Sequence, residues 1–192
     1  MPTTTNIDHD KKFIYVHVPK CAGKLIEKYF FGKEPVNGSS NHHTIEKILS
    51  LEENIDDYFV FSTVRNPWDR VVSGWYAEKK RRSIDAGDSF ENFILNHRWK
   101  VSSGGREYHY YLKYPDGSII ENLYKVEDIN TEKCPIQELG KKFDIELPER
   151  FDKVNPTHEE RKPYQEYYTK KTRQIVYDHL GYEIELFNYK FE

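Results

Sequence analysis

One pattern, occurring twice, constrains this chain more than any other. A short and continuously apolar run stops at a basic loop containing proline, and a segment of helical spacing follows. Phe13-Ile14-Tyr15-Val16-His17-Val18 is β-branched and aromatic and ends at Pro19, which reads as a buried strand. Gly23 to Phe31 then carries apolar residues at helix intervals and closes at Gly32, a residue suited to the left-handed turn that ends helices. Residues 58–64 repeat the strand, Arg65-Asn66-Pro67 cuts it off, and Pro67 suits the first turn of a helix running to Lys80. Strands alternating with helices in this way build an α/β fold around a mainly parallel sheet, with loops gathered at the carboxyl ends of the strands.

The remainder fits the same plan. The sequence predicts a turn over 37–41, short helices over 44–51 and 88–97, a third strand over 119–126, a helix over 131–143, and a longer helix over 164–180 after a loop at 155–163. Residues 101–117 are rich in Gly and Tyr and carry no regular period. The 192 residues suffice for one domain spanning 1–192, with 1–11 as a flexible polar leader. Only 37% of residues are apolar, so the 15 Tyr and 11 Phe must supply much of the core.

The formal charge of -3 offers no general attraction to nucleic acid or to an anionic membrane, so any anion site must be local. The two cysteines, Cys21 and Cys134, are far apart and lack metal-ligand spacing. They predict neither a disulfide scaffold nor a metal site, and fit a reducing, cytoplasmic setting. No window approaches the roughly eighteen apolar residues of a membrane span, and nothing in the sequence fixes an oligomeric state.

Two loops are suited to anions. Pro19-Lys20-Cys21-Ala22-Gly23-Lys24 leaves a strand and opens a helix, where backbone N–H groups and the helix dipole favour a phosphate. Lys20 and Lys24 bring charge to that mouth, and Gly23 permits close approach. It is not a Walker A loop, because Gly23-Lys24-Leu25 lacks the final hydroxyl residue. Arg65 leaves the second strand, where its guanidinium could fork onto a phosphate or form a structural ion pair, and Ser73 lies about two helical turns further on. Asp69 and Arg70 open that helix and suit ion pairing as well as ligand contact. Lys79 to Arg82 reads as a solvated basic helix end.

These segments resemble the sulfotransferase family that uses 3′-phosphoadenosine 5′-phosphosulfate (PAPS). His17-Val18-Pro19-Lys20-Cys21-Ala22-Gly23 resembles its 5′-phosphosulfate loop. Val64 to Ser73 resembles the 3′-phosphate segment of carbohydrate sulfotransferases, and Asn41-His42-His43-Thr44, Tyr124 to Asp128 and the tail 164–191 are further echoes. The resemblance implies a P-loop-like three-layer fold, a PAPS donor, no required metal, and a saccharide acceptor. It implies that Lys20 contacts the bridging oxygen and that Cys21, Ala22, Gly23, Lys24 and Leu25 line the 5′-phosphate. Arg65 and Ser73 would hold the 3′-phosphate, and Arg161 or Lys162 would close over the donor. Lys24 and Leu25 stand where the family commonly has hydroxyl residues.

The acceptor hydroxyl must lose a proton, which calls for a positioned base with a pKa near the working pH. His42, which matches the histidine of similar sugar sulfotransferases, is the first candidate, His43 the second, and an acidic residue the third. His17, His109 and His179 read as core histidines. A P-loop kinase and a non-catalytic nucleotide-binding relative are the competing readings.

Overall fold

The computed structural model describes residues 6–33, 42–81, 88–102, 104–152 and 161–192. The turn at 37–41, Arg82, and residues 155–160 of the long loop lie outside them. The chain forms two compact units, residues 1–64 with 108–155, and 65–107 with 156–192.

The first unit holds the sheet. Its strands are β1 (Ile7–Asp8), β2 (Phe13–Val16), β3 (Phe59–Val64) and β4 (Asn122–Lys125), side by side in that order. β2, β3 and β4 are parallel, with Phe13 opposite Phe59 and Phe61 opposite Asn122. Asn6 to Asp8, which the sequence assigns to the leader, add an antiparallel edge with Ile7 opposite Ile14. Every residue of β2 is buried, as a parallel strand covered on both faces must be. This is the α/β fold that the sequence predicts, a mainly parallel sheet flanked by helices.

Helices α1 (Gly23–Phe31) and α6 (Pro135–Lys142) cover one face of this sheet. Leu25, Ile26 and Phe30 of α1 and Ile136 and Leu139 of α6 pack with Phe13, Tyr15, Phe61 and Phe143. The Phe13 and Phe143 rings lie 4.6 Å apart. Aromatic rings thus fill the volume that the sparse aliphatics leave, as composition predicts. Helix α2 (Ile45–Leu51) is capped by Thr44, whose Oγ1 accepts from Lys47 N at 3.1 Å. A one-turn helix α5 (His109–Leu112) occupies part of the unassigned stretch, and His109 is exposed rather than in the core.

The second unit is helical: α3 (Pro67–Lys80), α4 (Phe90–Leu95) and α7 (Lys170–Leu186). Trp68, Val71, Val72 and Trp75 of α3 pack with Phe93, Ile94, Trp99, Val176 and Leu180. The tail returns to them, with the Phe191 ring 5.3 Å from Trp68. Several boundaries differ from the sequence reading. The helix predicted over 131–143 begins at Pro135, because the proline that has no N–H is most comfortable at the first helical position. The strand predicted over 119–126 is confined to Asn122–Lys125. The helix predicted over 164–180 is a 3₁₀ turn (Tyr164–Tyr167), a break, and then α7. Thr169 causes the break by capping α7 reciprocally with Thr172. α7 also runs past residue 180, with a kink at Leu180.

Candidate active site

β2 ends at Val16, and the next residues turn sharply into α1. Lys20 (φ 66°) and Ala22 (φ 59°) both hold the left-handed backbone conformation, which costs an L-residue about 1 kcal/mol or more. The strain is supported from below. Tyr15 Oη donates to Thr63 Oγ1 at 2.8 Å, and Thr63 in turn donates to Cys21 O. Burial pushes the Tyr15 phenol well above its ordinary range, so it remains a neutral donor. Cys21 is buried with its Sγ 3.6 Å from Tyr108 Oη, so it offers a ligand only its backbone. Leu25 faces the core, and its N–H donates to Ala22 O at 2.9 Å. Lys20, Ala22 and Lys24 are partly exposed, and α1 begins at Gly23, so the helix presents its N-terminal N–H groups at this loop.

Gly23 is needed for a reason the sequence does not disclose. A Cβ at this position would lie 1.8 Å from Nε2 of His17. The imidazole of His17 occupies the space where a side chain would stand. His17 is 4% exposed and donates from Nδ1 to Glu27 Oε1 at 2.9 Å. Asn6 Nδ2 donates to the same oxygen at 3.1 Å, and Lys33 Nζ donates to Asn6 Oδ1 at 2.6 Å. Burial raises the Glu27 pKa, but the His17 hydrogen bond and charge, Asn6 and Lys33 outweigh it and hold the carboxyl below its ordinary value. His42 stands edge-on to His17, with ring centroids 4.6 Å apart at 70°. His43 beside it is partly buried.

In the second unit, Arg65 precedes α3 and reaches forward one turn. Its Nε and Nη2 donate to Asp69 Oδ2 at 2.7 and 2.6 Å. Arg161 donates to Asp69 Oδ1 and, at 3.1 Å, to Asp69 O. One carboxylate therefore faces two guanidinium groups. Burial and the nearby Arg65 lower the Arg161 pKa, while Asp69 opposes the shift. The buried Nε of Arg161 has no hydrogen-bond partner among the described residues, an arrangement that favours an added anion. Ser73 lies one turn after Asp69 on α3 and is buried, so the two share a helix face. Lys162 is turned instead to Glu166, 3.6 Å away.

Arg70 is fully buried and donates from Nη2 to Arg106 O at 2.6 Å. The adjoining Gly74 and Gly104 meet backbone to backbone, since a Cβ on Gly74 would lie 2.8 Å from Gly104 Cα. Arg70 is thus a structural residue of α3, tied to the backbone at Arg106.

The sulfotransferase family model matches residues 3–190. The chain belongs to the sulfotransferase family. No curated protein and no solved structure matches it. Membership makes the protein a transferase of sulfuryl groups and implies an acceptor substrate. The mainly parallel sheet with α1 starting just beyond β2 accords with the P-loop-like fold of these enzymes. Among the described residues no helix is long and apolar enough to cross a membrane, and no cluster of three His, Cys, Asp or Glu is suited to a metal.

Sequence reasoning locates both basic segments of this sulfotransferase but misses their partners. The Arg65–Asp69 pair has a legible signal, the i,i+4 spacing. The Glu27 clamp on His17 has almost none, because a single Glu on a helix face is ordinarily solvated. Arg161 joins Asp69 from 92 residues away, which no local pattern reveals.

Proposed function

We propose that the protein transfers a sulfuryl group from PAPS to a hydroxyl of a saccharide. The observation that carries this reading is the convergence of Arg65 and Arg161 on one carboxylate, with the Arg161 Nε buried and without a hydrogen-bond partner among the described residues. Two guanidinium forks gathered at one point suit a phosphate monoester such as the 3′-phosphate. Ser73, on the same helix face as Asp69, adds a hydroxyl. The strained Lys20–Ala22 turn supports the second half of the reading, because backbone held at a sparsely populated conformation ahead of a helix N-terminus forms an anion nest. Gly23 and Lys24 supply the first-turn N–H groups, and Lys24 contributes charge where relatives carry a hydroxyl. The saccharide acceptor is supported by the likeness of the Val64 to Ser73 segment to carbohydrate sulfotransferases.

The donor brings a sulfuryl group on a phosphate leaving group, and the protein's task is alignment and charge neutralisation. The acceptor oxygen forms a bond to sulfur as the bond from sulfur to the bridging phosphate oxygen breaks. Lys20 neutralises the charge that develops on that oxygen, and His42 accepts the proton lost by the hydroxyl. A P-loop kinase would need a hydroxyl residue after the lysine, and Leu25 in that place is committed to the core.

The test is a calorimetric titration with 3′-phosphoadenosine 5′-phosphate, using adenosine 5′-phosphate and magnesium ATP as comparators. Selective binding of the bisphosphate is expected. Arg65→Ala should weaken it by about tenfold to a hundredfold and leave adenosine 5′-phosphate nearly unaffected. Equal loss for both ligands removes Arg65 from the 3′-phosphate. Bisphosphate binding without transfer to any of a panel of hydroxyl acceptors would instead mark a non-catalytic relative.

A further inference from the structure

His17 occupies a position that an aliphatic residue would fill more simply. It extends the run of β2, is almost fully buried, and carries a polar ring that must then be satisfied. The protein satisfies it with a carboxylate, Glu27, which is itself buried and is held from behind by Asn6. A buried polar pair of this kind is often no more stable than an apolar pair of the same volume. Its value therefore lies in where it holds the ring. With Nδ1 fixed on Glu27, the ring cannot rotate, and its Nε2 edge is pinned over Gly23 at the first turn of α1. His42 rests edge-on against this same imidazole.

We propose that His17, clamped by Glu27, is a positioning residue that fixes the ring of His42 and the first turn of α1 relative to one another. The inference rests on the reading of His42 as the base. His17 takes no proton and touches no reacting atom in this scheme. It provides a rigid wall between the group that deprotonates the acceptor and the backbone that grips the donor phosphate. A base displaced by about 1 Å can cost about a hundredfold in rate, so a fixed wall matters even without contact with substrate.

The experiment compares Glu27→Leu, which removes the clamp at similar volume, with Glu27→Gln, which retains an acceptor for the His17 Nδ1–H. Nitrogen-15 histidine NMR, bisphosphate affinity and the turnover of sulfuryl transfer are read on each. In Glu27→Leu the ring signals of His42 should move and turnover should fall by about tenfold to a hundredfold, with the bisphosphate Kd kept within about threefold. Glu27→Gln should restore the His42 signals and most of the turnover. Unmoved His42 signals in Glu27→Leu overturn the proposal, as does a loss of bisphosphate affinity equal to the loss of turnover. Asn6→Ala, which loosens Glu27 from behind, carries the same readouts if Glu27→Leu fails to fold. If the wild-type protein binds no bisphosphate and transfers nothing, the donor reading fails, and the His42 signals alone decide this one.

Discussion

At Gly23 the sequence suggests one need for a glycine and the structure shows another. A glycine between strand and helix suggests that a ligand must come close, yet the first group to approach it is the protein's own His17 ring. Gly23→Ala should therefore destabilise the first unit by about 1–3 kcal/mol, since the added methyl collides with a buried imidazole. Urea denaturation of Gly23→Ala, His17→Ala and the double variant checks this. The double variant should lose less than the two single losses combined, because the collision is gone once the ring is removed. Strict additivity would mean that ring and methyl never meet. The loop's basic residues are legible because charge and position can be read along the chain. The burial of Glu27 against His17 is not, because helix-face polarity alone does not say which glutamate turns inward.

At the level of elements, the start of α3 does two jobs with one residue. Asn66 Oδ1 accepts from Trp68 N at 3.1 Å and Asp69 N at 3.4 Å, which caps the helix. Its Nδ2 donates to Tyr164 Oη at 3.3 Å and to Lys190 O at 3.2 Å, which ties the tail of the second unit to the cap. Asn66→Ala should cost about 2 kcal/mol, a cap of about 1 kcal/mol plus polar groups left unsatisfied. Asn66→Asp should keep the cap and lose only the tail contacts, so a thermal melt should place it between wild type and Asn66→Ala. Equal melting of the two variants would leave the tail contacts without energetic weight. The α3 boundaries are legible because the Arg-Asn-Pro start is chemical punctuation. The start of α7 is misread because the aromatic spacing of 164–168 continues the helical period, and only the Thr169–Thr172 cap breaks it.

At the scale of the whole molecule, a net charge of -3 makes anion affinity a local property, confined to segments where cations are gathered by folding. Each unit also holds a neutral phenol shielded from water, the buried Tyr15 in the first and the partly buried Tyr168 in the second, and this desolvation pushes both well above their ordinary pKa. A raised folded-state pKa contributes stability that is complete below the unfolded value near 10. It is lost as pH rises above that value toward the folded one. Stability in urea should thus be level through neutral pH and decline above about pH 10, with a shallower decline in Tyr15→Phe. An unchanged slope in that variant would assign the alkaline loss to other groups. By itself the sequence determined the alternation of strands and helices, the two basic loops and the family, because these depend on residue type and spacing along a local stretch. Only the tertiary structure decided that Glu27 clamps His17, that His42 leans on that ring, and that Arg161 shares Asp69 with Arg65. Those pairings join residues 10, 25 and 92 positions apart. They exist because burial makes an unpartnered charge costly and drives each polar group to a partner that folding alone brings within reach.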